Sequence, residues 1–167
     1  MNQRNRKILM WALFALLYLL VILAQTTLFG RVRLLGVKLN LMPIAMVCIA
    51  MQVGHEAGGL FGLIAGFSWY AAGADDGALA MVSYTVFGIL AGWLCDNLFR
   101  RRFLPAALLS FAAVLLHEGA RFVLKYYLAD ASGRLLLWVP VIAGLSMAAS
   151  PVIYLLAKTV RKVGGDL

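Results

Sequence analysis

An apolar stretch near the start of the chain decides the fold class: residues 8–29 read ILMWALFALLYLLVILAQTTLF. An α-helix rises about 1.5 Å per residue, so about 20 apolar residues cross the hydrocarbon core of a bilayer. Arg4, Arg6 and Lys7 precede this stretch, as in a signal peptide. The apolar region of a signal peptide has only about 7–15 residues, however, so we expect a retained first transmembrane helix.

Five further apolar runs follow the first one. Together they predict an all-α bundle of six transmembrane helices, with residues 1–167 forming a single integral membrane domain. The expected spans are residues 8–29, 39–53, 57–73, 78–99, 103–124 and 135–157. The second and third runs are short, and the polar link between them contains Gln52, His55 and Glu56. A re-entrant hairpin is therefore the alternative to two full spans.

Composition excludes a water-soluble domain. Of the 167 residues, 63% are hydrophobic and 13% are charged, whereas soluble domains have about 25% charged residues. The net charge of +8 comes from short basic clusters between apolar runs, so we expect contact with anionic lipid headgroups and no nucleic acid. Cys48 and Cys95 lie in apolar runs outside any Cys/His cluster, so neither a disulfide nor a metal site is expected.

Basic residues in the short loops predict the orientation of the chain. Nine fall in segments that lie on one side of the membrane: Arg4, Arg6, Lys7, Arg100, Arg101, Arg102, Lys158, Arg161 and Lys162. Five fall in segments on the other side: Arg31, Arg33, Lys38, Lys125 and Arg134. Because basic loops stay in the cytoplasm, this bias predicts that both termini are cytoplasmic.

Glycines recur at helical spacing in the third and fourth predicted helices, and Tyr84 continues the series on the fourth helix. This glycine stripe consists of Gly58, Gly62, Gly66, Tyr84, Gly88 and Gly92. Positions four apart lie on one face of a helix, and a missing side chain lets two backbones approach closely in a membrane. The stripe predicts either packing of these two helices against each other or a groove for the transmembrane helix of a partner protein.

Ionisable residues interrupt the fifth apolar run. Glu118 and Arg121 are three positions apart, and His117 and Arg121 are four apart, so these side chains can interact along one helix. Ionisable groups within a span usually face the bundle interior and are functional candidates. One interpretation is an ion pair that fixes helix packing, and the other is an outer pocket suited to a small anionic ligand. The candidate pocket residues are Arg31, Arg33, Trp69, Tyr70, His117, Glu118, Arg121 and Trp138.

Two other acidic positions have simpler interpretations. Asp75 and Asp76 stand between two glycines, which is typical of a turn. Asp96 and Arg100 are four positions apart and predict an ion pair at the membrane boundary.

Motifs of catalysis are missing from the sequence. The pair His117–Glu118 does not continue to HExxH, because position 121 is arginine. No serine nucleophile elbow, phosphate-binding loop or dinucleotide fingerprint occurs. We therefore expect no catalytic residues, no enzymatic activity and no cofactor.

The central stretch, residues 58–94, resembles the MreD family of rod shape-determining proteins. It reads GGLFGLIAGFSWYAAGADDGALAMVSYTVFGILAGWL. The family has a glycine-stepped helix, a short glycine-bounded turn, and a helix ending in Y-x-x-x-G-x-x-x-G, here Tyr84, Gly88 and Gly92. Chain length, the basic N-terminus and QTTLFGRV at residues 25–32 also look like that family. The chain departs from it at Tyr70, near the outer end of the third helix, where the family commonly has an aspartate.

The resemblance implies a non-catalytic scaffold of the cell-elongation complex in the bacterial cytoplasmic membrane. Such a protein would bind MreC, which has a single membrane helix, and act near the MreB cytoskeleton and the enzymes of peptidoglycan synthesis. The family is similar in fold to the S-components of energy-coupling-factor vitamin transporters, so a substrate-binding S-component is the alternative. S-components commonly carry AxxxA on the first helix, whereas Ala12 and Ala15 are only three apart here. This departure favours the scaffold.

Overall fold

The computed structural model describes residues 3–30, 36–99, 101–125 and 136–164, and these form helices joined by turns. In chain order the helices are α1 (Gln3–Ala24), α2 (Met42–Val53), α3 (His55–Ala71), α4 (Gly77–Asn97), α5 (Phe103–Lys125), α6 (Trp138–Met147) and α7 (Ser150–Gly164). A π-helical turn, Gln25–Phe29, continues α1. The all-α fold class predicted from the sequence is confirmed for the described residues.

Several of these helices are suited to a membrane. Within the described residues, three are long and apolar enough to cross one: Gln3–Phe29, Gly77–Asn97 and Phe103–Leu124. A fourth candidate is α6 with α7, if the two are counted as one bent span. The other two helices are shorter than the about 20 residues of a perpendicular span, α2 with 12 residues and α3 with 17.

The sixth predicted span, residues 135–157, is interrupted in the part that the structure describes. A bend of 47° separates α6 from α7, and two turn residues, Ala148 and Ala149, lie between them. Pro151 explains the break, because proline has no N–H for a helix bond and its ring collides with the carbonyl four residues earlier. The span predicted at residues 135–157 therefore contains a bend, which hydropathy does not indicate because it takes no account of this proline.

Contacts between helices define two ends of the bundle. The terminal end is where Gly54 lies beside Asp96 and where Gly164 lies beside Met10. The turn end holds the α3–α4 turn, residues 72–76. From α1 to α5 each helix runs opposite to the one before it, and α6 followed by α7 returns to the terminal end.

The central helix of the bundle is α2. Every residue from Met42 to Gln52 is buried, and α2 contacts α1, α3, α4, α5 and α7. A helix that is apolar on all sides belongs in the interior of a bundle. The outer helices expose large apolar side chains, such as Leu20 of α1 and Ile64 of α3, as expected of a surface in contact with lipid tails.

The glycine stripe lies at the contact between α3 and α4. A Cβ atom on Gly62 would collide with the carbonyl of Tyr84, and one on Gly58 or Gly88 would collide with the carbonyl of the other. Backbone atoms also lie against the remaining two positions, Gly66 and Gly92. These contacts correspond to the first interpretation of the stripe, internal packing of the two helices, and docking of a partner helix stays a prediction.

Candidate functional site

A cavity of about 680 Å³ opens at the turn end. Its wall is formed by the π-helical turn after α1, the segment before α2, the end of α3, the α3–α4 turn, α5 and α6. The polar residues that matter for its chemistry are Gln25, Asn40, Asp75, Asp76, Glu118 and Arg121. Concave sites with a few converging polar groups in an apolar wall are the usual ligand sites of proteins.

The segment before α2 is held in place by Gln25. Its amide nitrogen donates to the carbonyl of Leu39 at 2.7 Å, and its amide oxygen accepts from the N–H of Leu41 at 2.9 Å. Gln25 is the first residue of the π-helical turn, and such turns often mark functional positions. Both amide atoms are thus bonded, and they bring residues 39–41 to the cavity wall.

Asn40 joins this segment to two helices at the far side of the cavity. Its side-chain nitrogen donates to Glu118 Oε1 at 2.6 Å, and its backbone N–H donates to Ser146 Oγ at 2.9 Å. Glu118 is more than nine-tenths buried. A buried carboxylate is costly without a partner, and Asn40 supplies one from a distant part of the chain.

A hydrogen-bonded chain connects the turn to α5 and α4. His117 Nε2 donates to Asp76 Oδ2 at 3.2 Å, and its Nδ1 lies 2.8 Å from Ser83 Oγ. Trp69 Nε1 donates to the other oxygen of Asp76 at 3.0 Å. His117 is fully buried, and its ring lies 5.4 Å from that of the buried Tyr84. Both ring nitrogens are used inside the protein, and His117 does not line the cavity as the pocket prediction required.

Serine, histidine and aspartate are also the residue types of a hydrolase triad. Ser83, however, lies in the middle of α4, where backbone N–H groups bond within the helix and cannot form an oxyanion hole. It does not line the cavity either. The chain of hydrogen bonds therefore serves to attach the α3–α4 turn to α5.

Arg121 lies among three carboxylates at the cavity wall. Its guanidinium nitrogens are 3.5 Å from Glu118, 3.6 Å from Asp75 and 3.8 Å from Asp76. These distances exceed the about 2.7–2.9 Å of a charge-assisted hydrogen bond, and the buried Arg121 Nε has no hydrogen-bond partner. The Glu118–Arg121 pair predicted from the sequence is present, but as part of a larger ionic group.

The surroundings of Asp76 favour its charged form. Burial by itself raises the pKa of Asp76, but the hydrogen bonds from His117 and Trp69 and the positive charge of Arg121 outweigh it. The net result is a pKa below the usual value of an aspartate. Asp76 is therefore ionised at neutral pH.

The other predicted pocket residues have different locations. Trp69 and Trp138 line the cavity. Tyr70 is 56% exposed and does not line it, because adjacent residues of a helix point in different directions. Arg31 and Arg33 lie outside the described residues.

Sequence reasoning did not identify Gln25, Asn40, Asp75 and Asp76 as cavity residues. Asp75 and Asp76 do lie in a turn, as predicted, but turn composition does not reveal that their carboxylates face α5. Gln25 and Asn40 stand at the borders of apolar runs. A polar side chain at such a border is the signal that could have identified them.

A second ionic group lies at the terminal end. Asp96 is 3.3 Å from His55 and 3.4 Å from Arg101. The predicted partner of Asp96, Arg100, lies outside the described residues. These side chains are partly exposed and line no part of the cavity.

The fold and the cavity define an all-α membrane protein with a polar site at one end of a helix bundle. No family model matches the chain, and neither a curated protein nor a solved structure matches it. Among the described residues, no group of three or more His, Cys, Asp or Glu side chains is arranged to hold a metal ion.

Proposed function

We propose that this protein is a non-catalytic membrane scaffold of the bacterial cell-elongation complex. It binds an MreC-like single-span protein and, through it, supports the MreB cytoskeleton and the wall-synthesis enzymes. The observation that carries the proposal is the α3–α4 hairpin: the stretch that resembles the MreD family, residues 58–94, forms one packed unit. The glycines of its stripe lie against the backbone of a neighbouring segment, so the pattern reflects a structural requirement and not chance spacing.

The proposed topology has six crossings of the cytoplasmic membrane and both termini in the cytoplasm. The alternating direction of the described helices supports six crossings. The excess of basic residues in the segments at the terminal end supports its cytoplasmic location. The cavity then opens on the outer side, and α2 crosses as a short helix surrounded by protein. Thiol labelling of single cysteines at positions 38, 72 and 101 tests this: positions 38 and 72 are exposed, and only these two should react in intact cells.

Co-purification tests the scaffold role. The tagged chain, extracted from its host in a mild detergent, should retain a single-span MreC-like protein that mass spectrometry identifies. Depletion of the chain should make rod-shaped cells round. An unrelated polytopic membrane protein with the same tag is the control. Recovery of no such partner, together with unchanged cell shape on depletion, would contradict the proposal.

Substrate capture, as by an S-component, is the second candidate, and the cavity favours it. A volume of about 680 Å³ falls within the about 300–1,000 Å³ of small-molecule sites. Gene neighbourhood separates the two candidates: genes for an actin-like and an MreC-like protein support the scaffold, and genes of vitamin synthesis support capture. Co-purification with a transport ATPase would also favour capture.

A further inference from the structure

We propose that the cavity at the turn end binds a molecule that carries a positively charged amino group. The ligand is an organic ammonium ion or the amine-bearing headgroup of a lipid. This inference goes beyond the scaffold role and depends on the cavity alone, so it is compatible with either candidate function.

The first argument is the charge of the cavity wall. Three carboxylates surround the guanidinium of Arg121 at 3.5, 3.6 and 3.8 Å, those of Glu118, Asp75 and Asp76. Even with the exposed Lys38 included, the described lining has more acidic than basic residues. A cation placed beside them reduces the repulsion between the carboxylates, in a partly buried site where charges are less screened than in bulk water.

The second argument is the unused hydrogen-bonding capacity of the wall. A carboxylate has about four lone-pair sites. Glu118 Oε1 accepts from Asn40, whereas Glu118 Oε2 has the longer contact of 3.5 Å with Arg121. Glu118 is more than nine-tenths buried and lines the cavity. Its second oxygen can therefore accept a hydrogen bond from an ammonium group inside the cavity.

The third argument is the aromatic lining, which points to an organic cation. Trp69 and Trp138 both line the cavity, and the face of an indole attracts a cation. The hydrogen bond from Trp69 to Asp76 fixes this ring beside a carboxylate. Hard metal ions prefer a full set of oxygen ligands, and the described residues offer no such set.

An anionic ligand fits this wall less well. His117, one of the residues of the pocket predicted for an anionic ligand, has both ring nitrogens bonded within the protein. Arg121 already lies among carboxylates that balance its charge. A phosphate or carboxylate ligand that approached Arg121 would therefore be repelled by the same three side chains.

Two sources can supply the amino group, and they require different probes. One is a water-soluble amine that enters the open mouth of the cavity. The other is phosphatidylethanolamine, whose headgroup lies at the level where apolar helices end. Ethanolamine and choline represent the first source, and bilayers with or without phosphatidylethanolamine represent the second.

Thermal unfolding of the purified full-length chain tests the proposal, because a ligand that binds the folded state raises the melting temperature. The protein in detergent is titrated with ethanolamine or choline, and with inorganic phosphate or acetate as anionic probes. The protein in nanodiscs is compared between phosphatidylethanolamine and phosphatidylglycerol bilayers. We expect stabilisation by an ammonium probe, by phosphatidylethanolamine, or by both. An effect in detergent indicates the soluble source, and an effect only in bilayers indicates the lipid.

Charge-removing variants locate the site. Glu118→Gln keeps the shape of the side chain and an acceptor for Asn40, and it should weaken apparent ammonium affinity about tenfold. Asp75→Asn, at a more exposed position, provides a second test if Glu118→Gln does not fold. Asp96→Asn at the terminal end is the matched control and should bind as the wild type does.

Three results would overturn the inference. The first is that neither an ammonium probe nor phosphatidylethanolamine stabilises the wild type. The second is that the anionic probes stabilise it instead. The third is that both cavity variants bind with the wild-type affinity. None of them bears on the scaffold role, because co-purification of a single-span partner tests that role separately.

Discussion

At each end of the bundle an aspartate lies beside a histidine and an arginine, in different surroundings. At the turn end, His117 lies 3.2 Å from Asp76 and Arg121 lies 3.8 Å from it. The side chains of His117 and Asp76 are 0% and 9% exposed. This group lies beside the cavity and connects α5 to the α3–α4 turn.

The terminal end shows similar distances but much greater exposure. His55 is 3.3 Å and Arg101 is 3.4 Å from Asp96, with side-chain exposures of 48% for His55 and 33% for Asp96. Exposed ion pairs contribute about 0–1 kcal/mol, whereas a buried polar group that loses its partner costs about 1–3 kcal/mol. Burial, and not distance, therefore distinguishes the group that stabilises the fold from the group at the surface.

The largest effect is expected at the α3–α4 contact that runs between the two ends. Gly88→Leu directs a side chain at the backbone of Gly58. A change of rotamer cannot relieve this collision, and overpacking costs about 1–3 kcal/mol or more. We expect the variant to be lost from the membrane, as measured by the fluorescence of a fused reporter. Gly144→Leu, at a helix position with nothing within 4 Å, should accumulate normally. Normal accumulation of Gly88→Leu with loss of a partner would favour the docking interpretation instead.

The next largest effect compares the two histidines. His117→Leu removes the partner of Asp76 and of Ser83, both at the buried end, and should destabilise the protein by about 2 kcal/mol. His55→Leu, at a half-exposed position, should change stability by less than about 0.5 kcal/mol. Melting temperatures of the two variants in one detergent measure the difference. Equal shifts would show that burial does not separate the two ends.

Because of the ionic group around Arg121, we expect removal of Arg121 and removal of Glu118 to differ in their effect on stability. Arg121→Leu should destabilise more than Glu118→Leu, because it leaves several carboxylates without their cation. The double variant should not regain wild-type stability, since Asp75 and Asp76 also lose their contacts with Arg121, although a coupling on the order of 1 kcal/mol should persist. Melts of both single variants and the double variant form the cycle. Complete recovery in the double variant would instead indicate an isolated pair.

The smallest effect is expected from acid titration. Because the pKa of folded Asp76 is lowered from its usual value, its charged form stabilises the fold at every pH above about 4. This contribution is lost as the pH falls through the folded pKa. Asp76→Asn should therefore lower the melting temperature at pH 7. It should also reduce the further fall in melting temperature as the pH drops below about 4. The same substitution at the partly exposed Asp96 should leave the melting temperature at pH 7 nearly unchanged.

The sequence by itself determined the membrane class and the positions of the long helices. The spans predicted at 78–99 and 103–124 correspond to Gly77–Asn97 and Phe103–Lys125, because hydrophobic length is a local property of the chain. The spacing of the glycines likewise predicted close helix contact. It did not say which surface would be in contact, since periodicity describes one helix and not its neighbour.

Only the tertiary structure decided the cavity and the central place of α2. Asn40 and Glu118 are 78 positions apart, and Asp76 and His117 are 41 apart. A hydrogen bond between residues this far apart produces no periodic pattern in the sequence. The complete burial of α2, which its apolar composition allows, also requires the five helices that surround it. The chemistry of the site therefore depends on contacts between segments that are distant in sequence. Such contacts cannot be read from the order of residues along the chain.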